Sequence, residues 1–167
     1  LIQLPLALIG VTISTVILPN LSKVIKNGNK TKAIDLQNRS LEIAIYLALP
    51  AALSLGILAH PIIHILFERG EFNQFATMNA STALIAFCLG LPAFIGSKIF
   101  ATYFFANNNT KDPMNISIIC LIANLVLNII FIIPFAHVGI ALATSLSAWI
   151  NLILLIFFSI KREFFSF

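Results

Sequence analysis

The chain is 167 residues long and 59% hydrophobic, with ten basic and six acidic side chains and a formal charge of +4. Residues 1–22, 43–67, 72–97 and 113–160 contain no Asp, Glu, Lys or Arg at all. A water-soluble helix shows a polar face every turn, and disordered chains are charged and poor in aliphatics, so both classes are excluded.

A membrane span needs ~20 mostly apolar residues, which places one span in each of the first three stretches and two in the last. The first expected span runs over 2–19. A polar stretch, 20–40, follows with Lys23, Lys26, Lys30, Lys32 and Arg39 against Asp35 and a turn signal at Asn27-Gly28-Asn29. Its second half, Lys30 to Ser40, reads as a short interfacial helix leading into the second span, 41–66, which contains Pro50 and Pro61. Phe67 to Phe72 is a compact polar loop. The third span, 76–106, is interrupted by Gly90, Pro92 and Gly96. An Asn-rich loop, 107–113, precedes the fourth span, 114–133. A very short turn through His137 leads to the fifth, 138–160, and to the tail 161–167. The reading is an all-α polytopic membrane protein, taken as one transmembrane helical region over 1–167. Because Leu1 is not a Met and opens directly in apolar sequence, the chain reads as a piece of something longer.

Basic residues test the span count. Five lie in 20–40, one in the 107–113 loop and two in the tail, whereas the opposite side holds Arg69 alone. Cationic loops stay on the cytoplasmic side, so segments 20–40, 107–113 and 161–167 are placed there. The charge is clustered beside apolar segments with no extended basic face, so no nucleic-acid partner is implied. The lysines of 20–40 and Arg39 are placed instead at an anionic lipid surface.

Lys98 is the charged residue that falls well inside a span. An intramembrane cation faces a cavity or an anionic partner, or else snorkels to the interface, and both readings stand. Ser117, Cys120, Asn124 and Asn128 form a polar stripe on one face of the fourth span, answered by Thr144, Ser147 and Asn151 on the fifth. Such stripes either glue helices together or line a cavity. Gly10 and Ser14 read as a small-residue packing face. The prolines are hinges or simply shape. His60 and His64 are four apart, but Pro61 intervenes and no third ligand is evident, so no metal is assigned. Cys88 and Cys120 read as apolar core residues. With no nucleophile–base pair and no cofactor fingerprint, the chain is expected to be neither an enzyme nor a cofactor protein.

The residues also resemble a known family. Pro5, Gly10-Val11, Thr15, Leu18-Pro19 and Leu21-Ser22 open the resemblance. It continues through Leu49-Pro50, Gly56, Pro61-Ile62 and an outer loop in which Leu66-Phe67, Arg69-Gly70 and Phe72 stand as LF-x-RG-x-F. Gly90-Leu91, Lys98, Phe104 to Ala106, Thr110, Pro113, His137, Gly139, Ala141 to Leu146, Ala148 and Asn151 complete it. This series resembles the MurJ (MviN) lipid II flippases of the multidrug/oligosaccharidyl-lipid/polysaccharide exporter superfamily. Ala7 and Ser14 stand where that family usually has Gly, and Asn109 and Asp112 where it has Asp and Thr.

The resemblance implies five transmembrane helices forming part of the C-terminal lobe of a two-lobe flippase, with the rest of the transporter as partner. It implies an undecaprenyl-linked peptidoglycan precursor as cargo, carried across the bacterial inner membrane by alternating access. Lys98 would then attract the pyrophosphate, and Asn124, Asn128, Thr144 and Asn151 would line the cavity. Another exporter of the superfamily, an intramembrane enzyme, and a non-transporting helical or partner-binding module are the competing classes.

Overall fold

The computed structural model describes residues 1–70 and 72–161, with the backbone alone at 134–136. Among these residues all regular structure is helical. Helix α1, Gln3–Lys26, contains a π-helical turn at Leu6–Val11 and continues past Pro19, the expected end of the first span. Proline deletes only its own N–H bond. Beyond it, Leu21 is fully buried beside Ile17, Ala33, Tyr103 and Ala106, and this packing holds the last two turns in place. The turn signal is real: Gly28 adopts φ +72, a left-handed conformation that glycine enters without a Cβ clash.

Helix α2, Lys30–Ile57, is one rod, so the expected interfacial helix and the start of the second span are continuous. Asn29 caps it, its side chain accepting from the Lys32 amide at 3.2 Å. The rod ends where Pro61 cannot donate to the Ile57 carbonyl, and α3, Ala59–Phe67, starts after Leu58. Asn73 caps α4, Gln74–Cys88, which meets α5, Leu91–Ala106, at a 42° bend. Pro92 lies in the first turn of α5, where a missing N–H costs nothing.

Helical hydrogen bonding then runs from Lys111 to Lys161, but the chain turns back on itself between Phe131 and Gly139, giving α6, Lys111–Ile133, and α7, His137–Lys161. Ile116 and Cys120 share a cluster with Leu155. A straight helix would hold Ile116 and Leu155 about 58 Å apart at ~1.5 Å per residue. Asn109 caps α6 from both sides, accepting from the Asp112 amide and donating to its carboxylate at 2.7 Å. Asn109 and Asp112, two of the four positions that depart from the pattern of the resembled family, are thus bonded to each other.

Helix α5 is the hub. Its Leu91, Ile95 and Ile99 pack on Ala44, Ala48 and Ala52, a stripe of small residues every four positions that lets the backbone of α2 come close. Its Phe100 and Phe104 meet Ile116, Cys120 and Leu155 of the hairpin. Both cysteines are buried and unbridged. Elsewhere the surface is apolar: Tyr46, Ile57 and Ile133 are 80%, 79% and 85% exposed. Four helices are long and apolar enough to cross a bilayer, and the bent α4–α5 pair makes a fifth. In lipid, burying leucine against leucine gains no hydrophobic free energy, so close packing and interhelical hydrogen bonds hold such a bundle together. Gln37 on α2 donates to the Ile99 carbonyl at 3.0 Å. From α7, Ser145 donates to the Ala86 carbonyl at 2.7 Å and Trp149 to that of Leu89 at 3.1 Å. The last two carbonyls flank the α4–α5 bend, where the helical ladder is interrupted.

A groove with one cation, and the two ends of the bundle

Lys98 opens onto a groove of about 320 Å³ between α1 and α5, walled by Val11, Leu18, Ala101 and Phe105 among others. Its stem is laid across α1. A Cβ added to Gly10 would stand 3.3 Å from Lys98 Cδ and 3.5 Å from Ile95 Cγ1. The stem therefore lies at the level of Gly10 and Ile95, on the side of Lys98 away from the Asn107 end of α5. That direction follows from helix geometry, which tilts every side chain toward its own N-terminus. Lys98 makes no ion pair with a carboxylate among the described residues.

The polar stripes are arranged differently from two facing rows bonded to each other. Asn128 donates to Asn124 within α6 at 2.9 Å, and Thr144 donates back to its own helix at Ile140. Asn124, Asn128, Thr144 and Asn151 are all half-buried. Ser147 Oγ, Asn128 Oδ1 and Asn151 Oδ1 are buried without a partner. Lys98 lines the α1–α5 groove, and none of these residues shares it. The hairpin register, with Gly139 against Phe131, sets Asn128 near the level of Leu142 to Thr144 and Asn124 near that of Ser147.

The bundle has two chemically distinct ends. Ala33, Tyr103 and Ala106 share one cluster, which brings the α1–α2 turn and the Asn107 loop together. Lys23, Lys26, Lys30, Lys32 and Arg39 lie exposed in that region. Leu155 and Phe104 pack together, so Lys161 comes to the same end. Residues 162–167 of the expected tail, and Glu71 of the outer loop, fall outside the described residues.

At the opposite end Glu68 joins α3 to α4. Its Oε2 accepts from Thr77 Oγ1 at 2.6 Å and meets His64 Nδ1 at 2.7 Å, and the His60 and His64 rings stack at 6.3 Å. The Thr77 hydrogen bond, and then His64, hold the Glu68 carboxyl below its ordinary value of 4.5. A depressed acid stabilises the fold fully above the ordinary value, and the contribution is lost as pH falls through the folded one. Melting in detergent from about pH 6 to about pH 3 is therefore expected to show a fall that Thr77→Val reduces. Equal slopes for the two proteins would show that the contact carries no linkage. Nothing in the sequence announces Thr77, because its partner is nine residues away across a loop.

Four to five apolar helices, a lone intramembrane cation and one basic end define a polytopic membrane protein. The whole chain, residues 1–167, matches the family model described as "Lipid II flippase MurJ". The chain belongs to this family. It is similar to the "Probable lipid II flippase MurJ" of Rickettsia prowazekii (strain Madrid E), 43% identical over 161 residues that make up 96% of this chain and 32% of that protein. The protein of the same name from Rhizobium meliloti (strain 1021) is 40% identical over 153 residues, 92% of this chain and 29% of that one. A solved structure, "Lipid II flippase MurJ, inward closed conformation", superimposes with a TM-score of 0.85 at 32% identity, over 97% of this chain and 35% of that chain. The chain thus spans about a third of the length of the curated relatives it matches.

Proposed function

We propose that these helices form part of one lobe of a two-lobe lipid II flippase in the bacterial inner membrane, the remainder of the transporter supplying the other lobe. The observation that carries this reading is the superposition, at a TM-score of 0.85 over 97% of the chain, on a structure named for that activity. The reaction is transport of a lipid-linked peptidoglycan precursor between leaflets rather than bond chemistry. Two lobes rock about a cavity that shelters the polar headgroup while the prenyl tail stays in lipid.

Within this lobe Lys98 is the substrate-facing cation, a role supported by a stem that runs away from the nearer, basic end instead of snorkelling toward it. Asn124, Asn128, Thr144 and Asn151 are the polar lining of the α6–α7 hairpin, supported by the oxygens that remain unpartnered there. Lys23, Lys26, Lys30, Lys32 and Arg39 rest on anionic headgroups of the cytoplasmic leaflet, each worth ~1 kcal/mol near such a surface.

The test is a chimera in which this chain replaces the corresponding third of the Rickettsia prowazekii relative, expressed in cells depleted of their own lipid II flippase. The chimera is expected to restore growth, and Lys98→Gln in it to cut the flipping rate about tenfold, the loss expected for one charge-assisted contact. In the same chimera, Lys30→Cys and Arg69→Cys are expected to react with an impermeant maleimide from opposite faces. A chimera that reaches the membrane and folds, yet never supports growth, overturns the transport reading.

A further inference from the structure

A second hollow, sharing no residue with the Lys98 groove, lies where α2 and α7 meet the α4–α5 bend. The sequence of α2 builds one wall. Leu49, Ala52, Leu53, Gly56 and Ile57 recur at i, i+3, i+4, i+7 and i+8, so they share one helix face. On that face Ala52 and Gly56 are recessed between three larger side chains, which makes a trough about 12 Å long at ~1.5 Å per residue. A Cβ added to Gly56 would meet Cys88 Cβ at an ordinary 3.9 Å, so the missing side chain leaves space there instead of a close helix contact. Cys88, Leu89 and Pro92 form the opposite wall, and Trp149 of α7 completes it. The volume is about 490 Å³.

No wall residue is charged. The Trp149 indole N–H is already committed to the Leu89 carbonyl at 3.1 Å, and the Cys88 thiol is only a weak donor. The side chains therefore offer nothing to a polar ligand, and a water there would lack the several polar partners it needs. Depth selects further. The bend has 15 residues of α4 on one side and 16 of α5 on the other, about 23 Å of helix each, against ~15 Å from the centre of the hydrocarbon layer to its edge. The trough thus lies deep in the bilayer, where headgroups do not reach and acyl chains end. A chain on an ordinary lipid-facing helix touches protein on one side. In the trough it touches α2, the bend and α7 together, and gains dispersion contacts from all three.

We propose that this trough is a specific seat for one acyl chain of a bilayer phospholipid, whose methyl-terminal segment lies against Leu89, Pro92 and Trp149 at the α4–α5 bend. The proposal depends on the membrane-spanning class of the chain and not on the transport reading. Phospholipid is the source because its acyl chains are the bulk solvent at that depth, and the trough has no group to hold the polar end of anything else.

The test reconstitutes the chain in phosphatidylcholine nanodiscs holding a small share of phosphatidylcholine with a diazirine at the methyl end of one acyl chain. After illumination, the label is mapped by peptide mass spectrometry. Cys88, Leu89 and Trp149 are expected to be labelled at least about fivefold more per residue than Ile129 and Ile133 of α6, although those two are 67% and 85% exposed and Cys88 only 5%. Gly56→Leu fills the floor of the trough. It is expected to remove the excess while leaving the labelling of Ile129 and Ile133 and the melting temperature unchanged. Should Gly56→Leu fold poorly, Leu53→Phe narrows the trough from a rim position that is 64% exposed, outside the core, and is expected to reduce the excess in the same direction. Label distributed in proportion to exposure overturns the seat, as does an excess that neither variant reduces. An excess in the chain alone that disappears in the chimera shows that protein covers the trough, and overturns the seat as well.

Discussion

Gly139→Ala is expected to destabilise this chain more than any other single methyl group added to it. A Cβ built there would lie 2.2 Å from the Phe131 carbonyl oxygen and 2.6 Å from its carbon, both backbone atoms that no rotamer change can move. The α6–α7 hairpin would have to open to admit it, and opening withdraws Leu155 from Ile116 and Cys120 on the far side of the lever. Overpacking of this kind costs about 1–3 kcal/mol where side chains can yield, and the expected loss here is at the upper end or beyond because none can. Thermal unfolding in detergent is the measurement, with Gly56→Ala as control. At Gly56 the added Cβ meets Cys88 Cβ at an ordinary 3.9 Å, and that variant is expected to melt like wild type. A Gly139→Ala protein that melts with the control would show that α6 and α7 do not approach this closely.

Gly90→Ala is expected to have the next largest effect. The new Cβ would stand 2.7 Å from Ser145 Oγ and 2.9 Å from Ser145 Cα. Relief requires α7 to retreat from the bend, and that retreat breaks the bonds from Ser145 to Ala86 and from Trp149 to Leu89. The expected cost is about 2–3 kcal/mol, combining overpacking with the loss of both interhelical hydrogen bonds at ~0.6 kcal/mol or more each. Trp149 is the only tryptophan, so its fluorescence reports the retreat directly. Ser145→Gly in the same protein removes the Oγ and Cβ contacts but leaves Cα, and is expected to restore only a fraction of the stability. An unchanged Trp149 emission in Gly90→Ala would contradict the clamp. The consequence reaches the groove, because Lys98 lies eight residues along α5 from Gly90, about 12 Å at ~1.5 Å per residue. A change in the bend re-aims the lysine against α1.

The two glycines show where sequence reasoning reached and where it stopped. Gly90 beside Pro92 was readable as an interruption, because proline cannot donate and glycine weakens a helix wherever it occurs. That the bend is held by Ser145 and Trp149, 59 and 60 residues from the carbonyls they bind, was not readable, since no local pattern encodes such a distance. Lys98 was legible as the cation inside a span. The direction of its stem was not, because it depends on Gly10 of another helix being small enough to lie under it. Ser14 was legible as a small residue on a packing face, but its unpartnered hydroxyl emerged only once α1 and α5 were set side by side.

Element boundaries followed the same division. Pro19 reads as the end of the first span, yet packing of Leu21 against Ala33 and Tyr103 carries α1 on to Lys26. Lys30 to Ser40 reads as a separate interfacial helix. It is continuous with the span because nothing between Lys30 and Ile57 removes a backbone donor except Pro50, which the helix absorbs. Pro61 leaves the Ile57 carbonyl without its helical donor, and the rod breaks at Leu58, after which α3 packs its own Ala59 and Ile63 against Leu84 and Cys88.

By itself the sequence determined the class of protein, the apolar segments, the segregation of basic residues to one set of loops, and a family membership that the whole-chain match bears out. These are properties of composition and order, which the bilayer reads segment by segment through the cost of placing charge and unpaired backbone in hydrocarbon. Only the tertiary structure decided which polar atoms are left without partners, which helices the glycines allow to touch, and that Lys98 and Ser14 share a groove while the hairpin's Asn and Thr residues lie apart from it. Those are properties of distances between helices, set where small residues let backbones approach, and small residues carry no pattern that names their partner.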